Sequence, residues 1–198
     1  MRRYLQRMTR VATYTRGFVL GSGFALAALL ASTWALWAMP LSATASSTPA
    51  GAAPKSHSLL RSRELWATVD VCNPADKPNT VGVRGSMPGD GHGKDAMYMR
   101  FQLQYLEAKD DTWVSLAHGG DSGFIAVGQA KMALQSGTSF QIVPVKGEPP
   151  YTMRGIVTFQ WRHGASVLHE VTRTTSAAHK SVADADPAGY SAAQCVIG

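Results

Sequence analysis

Several features that would reveal a function directly are scarce or missing from this chain. It has only two cysteines in 198 residues, which excludes a disulfide-dense scaffold, and its 45% hydrophobic residues exclude a disordered chain. Its six histidines show no HxH or HExxH spacing of a zinc enzyme. Neither of its two asparagines begins an N-x-Ser/Thr acceptor, which favours a bacterial over a eukaryotic secretory route. The length allows one compact domain with extensions.

Acidic residues are absent from the first 63 positions, which hold eight of the 19 lysines and arginines. Residues 64–198 contain the other 11 basic residues and all 13 acids, so their net charge is −2. The +6 charge of the whole chain therefore comes from its N-terminal part. Because the rest lacks a basic footprint, we expect no nucleic-acid partner.

The N-terminal part has the pattern of a targeting segment. Five arginines in the first 16 residues precede an uncharged stretch from Gly17 to Met39. As a helix at about 1.5 Å per residue this stretch spans roughly 34 Å, enough to cross a hydrocarbon core of about 30 Å. Because basic flanks stay cytoplasmic, we predict a hydrophobic helix with the N-terminus inside and everything after Met39 exported.

Two outcomes of this targeting remain open. Ala43-Thr44-Ala45 has the small-x-small form of a signal-peptidase site, so residues 1–45 are either a cleaved signal peptide or a retained signal anchor. Cleavage gives a secreted protein, whereas retention makes the membrane a partner through residues 17–39. Residues 46–63, rich in Ser, Ala, Pro and Gly, predict a flexible spacer. The expected location is extracytoplasmic in both cases.

From Glu64 onward, apolar residues recur with a period of two between Gly, Pro and Asp. The two longest runs are Met97–Tyr105 and Tyr151–Trp161. About seven to nine short antiparallel strands without a helical period predict an all-β domain over 64–198. We interpret it as an immunoglobulin/fibronectin-III-like sandwich, with a β-barrel as the structural alternative.

The final hairpin and the cysteines give more detailed predictions. A three-residue Arg162-His163-Gly164 loop keeps Phe159 opposite Val167 on the buried face. Cys72 ends the first predicted strand and Cys195 lies three residues from the C-terminus. In an exported protein this pair predicts a disulfide that ties together both ends of the domain.

Three loops contain residue types that occur in catalytic or metal sites. Gly120-Asp121-Ser122-Gly123 matches the tetrapeptide around a serine-protease nucleophile, but the other triad segments are missing, so we interpret it as a turn. Gly89–Asp95 offers carboxylates and His92, but it lacks the full donor set of a calcium or zinc site. Asp184–Gly189 is interpreted as an ordinary turn. We therefore assign no catalytic residue, no metal and no cofactor.

Polar residues alternate with the apolar ones on both long strands. In the predicted sandwich these strands are neighbours, so the polar residues form one planar surface that is either simply solvated or binds a glycan or protein partner. The candidate partner residues are Arg100, Gln102, Gln104, Arg154 and Gln160.

Several stretches carry a family resemblance: Leu65–Cys72, Gly82–Pro88, Asp121–Gly123, Arg154-Gly155, Phe159–Trp161, Asp186–Gly189 and Cys195. On these the exported segment resembles small secreted or membrane-anchored actinobacterial proteins of unknown function. The resemblance implies export and a single domain, and it implies no activity or cofactor.

The sequence thus predicts an extracytoplasmic, non-catalytic β-sandwich module that binds a partner or supports the cell envelope. The alternative is a small secreted hydrolase or metal-dependent enzyme that uses the Gly89–Asp95 and His118–Ser122 loops.

Overall fold

The computed structural model describes residues 56–198, so the predicted hydrophobic helix at 17–39 lies outside the described residues. Among the described residues no helix has the length and apolar character needed to cross a membrane. The elements are α1 (Ser56–Leu59), β1 (Trp66–Cys72), β2 (Thr80–Met87), β3 (His92–Glu107), β4 (Thr112–Ser115), β5 (Asp121–Ala130), β6 (Leu134–Gln141), β7 (Tyr151–His163), β8 (Ser166–Thr174) and β9 (Cys195–Ile197).

The strands form two antiparallel sheets. One has the order β1-β2-β6, and the other has the order β4-β3-β7-β8, with β5 also pairing with β3 and β9 with β7. Strands β4 and β5 share one edge of β3, because β4 pairs with residues 104–107 and β5 with residues 92–102. The all-β, antiparallel prediction is therefore confirmed.

The core lies between the inner faces of the two sheets. The period-two alternation of β3 and β7 places their apolar residues inward, as the sequence predicts. The fully buried members are Met97, Met99, Phe101, Leu103, Val157, Phe159 and Trp161. The indole Nε1 of Trp161 donates a hydrogen bond to the carbonyl of Pro88 at 2.9 Å, which satisfies the one polar atom of this side chain inside the core.

The two sheets are in close contact at a glycine of β7. A Cβ atom added to Gly155 of β7 would lie 2.6 Å from Cγ1 of Val83 and 2.8 Å from Cγ2 of Thr175. Because Val83 is itself fully buried on β2, the neighbouring atoms have no free space to move into. The absence of a side chain at position 155 therefore lets β7 pack directly against the opposite sheet.

Within the described residues, packing against the core includes residues before Glu64. Leu59, at the end of α1, is buried in the core, and Leu60 packs against it. Arg173 of β8 donates a hydrogen bond to the carbonyl of Leu60 at 2.8 Å. The last residues of the predicted spacer are thus attached to the domain.

The segment after β8 returns along the free edge of β1. Val69 and Ala192 exchange two backbone hydrogen bonds, and the amide of Asp186 donates to the carbonyl of Asp70. The chain then reaches β9, where Cys195 forms a disulfide with Cys72, with 5.5 Å between the two Cα atoms. The predicted pairing of these cysteines is confirmed.

The β7–β8 hairpin differs from the predicted register. His163 pairs with Ser166, so the loop is Gly164-Ala165 rather than Arg162-His163-Gly164, and Gly164 has a φ of 56°. A register shift next to Trp161 then leaves one residue of β8 unpaired. As a result Phe159 lies opposite Val171, not Val167. The shift acts as a β-bulge, which restores the inward face after a two-residue loop.

Candidate functional site

All five candidate partner residues lie on one surface, the solvent side of the six-stranded sheet, which we call the outer face. Strands β3 and β7 are direct neighbours, and their register pairs Gln104 with Arg154 and Arg100 with Thr158. Gln102 also lies on this face, and Gln160 shares its parity although it is buried. Beyond the five candidates, the outer face contains Tyr98, Trp113, Asp121, Phe124, Arg162, Glu170 and Thr172. The structure thus places on one surface the residues that period-two alternation assigned to the outward faces of β3 and β7.

Arg100 is held by a carboxylate. Its Nε lies 2.9 and 3.1 Å from the two oxygens of Asp121, its Nη2 also contacts this carboxylate, and Gln102 donates a further hydrogen bond to it. The hydrogen bonds from Arg100 hold the pKa of Asp121 below its usual range. The charge of Arg100 is therefore compensated within the sheet.

Arg154 lies on an aromatic ring instead. Its guanidinium carbon is 4.1 Å from the ring centre of Trp113, and its Nε donates to the amide oxygen of Gln104 at 2.8 Å. Burial lowers the pKa of Arg154 from its usual value. Within residues 56–198 no carboxylate lies within ion-pair distance of this guanidinium. Its positive charge is uncompensated by any described acid.

Arg162 repeats this arrangement at the other end of β7. Its guanidinium carbon lies 4.1 Å from the ring centre of Tyr98 and 4.8 Å from that of Phe124. Its Nε donates to the amide oxygen of Gln160 at 2.7 Å, and Gln160 in turn donates to Glu170. No ion pair joins Arg162 to a carboxylate in the described part of the chain.

A second group of polar residues lies where β3 begins. The ligand atoms of Asp90, His92 and Asp95 all lie within 4.8 Å of one another. From the β7–β8 hairpin, His163 places its Nδ1 2.6 Å from Oδ1 of Asp95. This hydrogen bond keeps the pKa of Asp95 below its usual range. The loop was recognisable as a candidate site from its sequence, but the contribution of His163 was not, because only the pairing of β3 with β7 brings this residue to Asp95.

A polar cavity of about 450 Å³ lies beside β1 and β2. Asp70, Arg84, Asp184 and Asp186 are among its lining residues, so the predicted turn at 184–189 supplies two of its carboxylates. Burial raises the pKa of Asp70, although Arg84 donates a hydrogen bond to its Oδ2 at 2.7 Å. The other oxygen, Oδ1, is buried and has no hydrogen-bond partner among residues 56–198.

The serine-protease-like tetrapeptide does not form the predicted turn, because Asp121, Ser122 and Gly123 begin strand β5, where the pairing with β3 has a register shift. The hydroxyl of Ser122 accepts a hydrogen bond from the amide of Phe101 at 2.9 Å and donates to the carbonyl of Gly123. Gly123 has a φ of 64°, which glycine adopts without steric cost. The hydroxyl of Ser122 is therefore used in hydrogen bonds to backbone groups of β3 and β5.

The two loops of the alternative enzyme hypothesis lie at opposite ends of β3. Ala130, at the end of β5, pairs with His92, whereas Asp121, at its start, pairs with Gln102. The stretch of β3 from Ala96 to Gln102 alone separates the two ends by roughly 20 Å, at about 3.3 Å per residue. The Gly89–Asp95 and His118–Ser122 loops therefore do not form one active site, because β3 holds them apart.

The fold defines the described part of the chain as an all-β domain of two antiparallel sheets, closed by the Cys72–Cys195 disulfide. No protein-family model, no curated protein and no solved structure matches the chain.

Proposed function

We propose that residues 64–198 form a non-catalytic binding module of the cell envelope, and that the outer face binds an acidic surface glycan. In this proposal residues 1–45 export the module, which is released or stays anchored to the membrane. The module is an immunoglobulin/fibronectin-III-like sandwich, supported by its strand orders. The orders β1-β2-β6 and β4-β3-β7-β8 correspond to strands A-B-E and C′-C-F-G of such folds.

The observation that carries the proposal is the pair of arginines stacked on aromatic rings, Arg154 and Arg162. A guanidinium has five N–H donors, and the hydrogen bonds of each of these arginines within the described chain use one of them. Stacking on a ring restricts the guanidinium to one orientation, which lowers the entropy lost when it binds a carboxylate in a bidentate manner. The guanidinium groups of Arg154 and Arg162 therefore combine remaining N–H donors with a fixed orientation, which favours binding of an anionic partner.

The residues between the two arginines suit a carbohydrate. Arg154 and Arg162 are eight residues apart on β7, roughly 27 Å at about 3.4 Å per residue. Between them lie the hydroxyls of Thr158 and Thr172, which are 3.1 Å apart, whereas Gln160 is buried and its amide bonds to Arg162 and Glu170. Hydroxyl groups both donate and accept, as sugar hydroxyls do. A linear polymer with spaced carboxylates can therefore contact the whole row.

The location of the module has independent support. The domain contains a disulfide, and such bonds persist mainly in oxidising compartments outside the cytoplasm. Residues 64–198 have a net charge of −2, so attraction to an anionic polymer must come from a local arrangement of arginines rather than from the overall charge. The outer face supplies that arrangement.

The test measures binding of the full-length chain to a linear uronic-acid polysaccharide and to the same polymer with its carboxylates reduced to alcohols. We expect binding to the acidic form only, weakening as ionic strength rises because salt screens the charges. The double variant Arg154→Gln/Arg162→Gln should lose about tenfold or more in affinity, about 1.4 kcal/mol. Lys146→Gln, which removes one exposed charge elsewhere, should stay within about twofold of the wild type.

Three results would contradict the proposal. They are equal binding to both polymers, equal losses in the double variant and in Lys146→Gln, and binding that is confined to a protein partner. Binding that is confined to a protein partner would still support a binding module, but its ligand would be a protein rather than a glycan.

A further inference from the structure

Two carboxylates at the start of β3 are buried beside each other, and no lysine or arginine within residues 56–198 forms an ion pair with them. Asp90 is 8% exposed and Asp95 is 7% exposed. Among residues 56–198 their ion-pair partners are only imidazoles, His92 for Asp90 and His163 for Asp95. Burying two negative charges in contact is costly unless a positive charge compensates them. Apart from these two imidazoles, no residue within 56–198 pairs a positive charge with the two carboxylates, and a bound metal ion would supply a further one.

We infer that Asp90, His92 and Asp95 bind a divalent transition-metal ion, with His163 as the residue that positions Asp95. Two donor atoms bound to one ion at about 2.0–2.2 Å lie at most about 4.4 Å apart. The three donor atoms already lie within 4.8 Å of one another. The His92 side chain is 55% exposed, so its imidazole has room to rotate towards a bound ion.

The donor set selects the class of metal. One imidazole nitrogen and two carboxylate oxygens suit zinc and its first-row neighbours, whereas calcium takes six to eight oxygens. Three protein ligands leave at least one coordination position for water or for an oxygen of a ligand. The site is therefore an exchangeable metal centre rather than a closed structural one.

His163 and the local backbone hold the carboxylates in place. The imidazole Nδ1 of His163 lies 2.6 Å from Oδ1 of Asp95, so the hairpin holds one oxygen of this carboxylate. A hydrogen bond to the second oxygen of a ligating carboxylate is a common way of orienting such a ligand. The amide of His92 donates to Oδ1 of Asp90 at 2.7 Å, so the loop itself fixes the other carboxylate. Metal binding would thus join the β2–β3 loop to the β7–β8 hairpin.

The experiment uses the full-length chain after treatment with a chelator. It is titrated with Co²⁺, followed by visible absorption, and then with Zn²⁺ as a competitor and Ca²⁺ as a control. We expect one equivalent of Co²⁺ to bind, Zn²⁺ to displace it, and Ca²⁺ to leave the spectrum unchanged, since zinc binds such donor sets more tightly than cobalt. The expected spectrum is that of a Co²⁺ ion with nitrogen and oxygen ligands.

The variants use exposed histidines because substitutions of the buried carboxylates can prevent folding. His92→Ala should weaken Co²⁺ binding about 100-fold by removing a ligand, and His163→Ala should weaken it about tenfold by releasing Asp95. His118→Ala, at an exposed histidine in the loop at the other end of β3, is the matched control and should bind as the wild type does. Far-ultraviolet circular dichroism without metal should be the same for all four proteins.

The inference is overturned if no saturable Co²⁺ binding occurs, if His92→Ala binds as the wild type does, or if His118→Ala weakens binding equally. Unchanged affinity in His163→Ala would remove the positioning role of that residue. Ca²⁺ affinity equal to that for Zn²⁺ would contradict the metal class. None of these outcomes depends on glycan binding, so this test and that of the outer face are independent.

Discussion

At the scale of single residues, the outer face has three arginines in two different states. Arg100 is compensated by Asp121, whereas Arg154 and Arg162 lie on aromatic rings without a described carboxylate partner. The alternation on β3 and β7 was sufficient to predict that these arginines share a surface. The sequence did not predict their different states, because those depend on residues of β4 and β5 whose pairing with β3 no local pattern specifies.

The Arg100–Asp121 pair gives a pH-dependent prediction. Because the pKa of Asp121 in the folded protein lies below the ordinary value of 3.8, the pair contributes stability above pH 3.8 that is lost as the pH falls through the folded pKa. Both side chains are more than a third exposed, so we expect Arg100→Gln to lower the free energy of unfolding by only about 0.5 kcal/mol at neutral pH. Urea unfolding at neutral pH and well below pH 3.8 measures this difference.

The difference between wild type and Arg100→Gln should disappear at the acidic pH, where Asp121 is protonated in both proteins. Lys146→Gln, which has no ion pair in the described chain, serves as the control with no pH-dependent difference. A stability difference for Arg100→Gln that grows below pH 3.8 would contradict the assignment.

At the scale of elements, periodicity predicted the long strands but not how their ends are joined. The inward residues of β3 and β7 are those that the period-two pattern selects. The β7–β8 hairpin was predicted with a three-residue loop, since an odd-length loop is the simplest way to keep β8 in phase. The protein uses a two-residue loop and a bulge instead. Both solutions preserve the inward face, so alternation alone does not distinguish them.

Two valines of β8 distinguish the registers in solution. Val171 lies opposite Phe159 and packs against the core, whereas Val167 is 48% exposed. We therefore expect Val171→Ala to lower the free energy of unfolding by about 1 kcal/mol and Val167→Ala by less than about 0.5 kcal/mol. Chemical denaturation of both variants measures the two values, and the opposite ranking would favour the three-residue loop.

At the scale of the whole molecule, the disulfide joins distant parts of the chain. Cys72 and Cys195 are 123 residues apart in the sequence, and the loop they close contains most of both sheets. The chain-entropy model gives a loop of this length a stabilisation of at most about 5 kcal/mol, because the bond restricts the unfolded chain. The return of the chain along β1 is what brings the two cysteines together.

Removal of this bond gives a prediction at the same scale. The double variant Cys72→Ser/Cys195→Ser should be less stable than the wild type by about 2–5 kcal/mol, measured by denaturation under non-reducing conditions. A reductant should destabilise the wild type by a similar amount and leave the double variant unchanged. If the reductant affected both proteins equally, the bond would not be the source of the stability.

The sequence by itself determined the class of fold and the partners in the disulfide. It also determined which residues of the two long strands face outward, because period-two alternation and the count of two cysteines are local or compositional properties. Only the tertiary structure decided that Trp113 lies under Arg154 and that His163 contacts Asp95. These contacts join residues 41 and 68 positions apart in the sequence, and they depend on the pairing of strands with β3. Strand pairing is set by the packing of the whole core, so neither of the two proposed sites could be completed from local patterns alone.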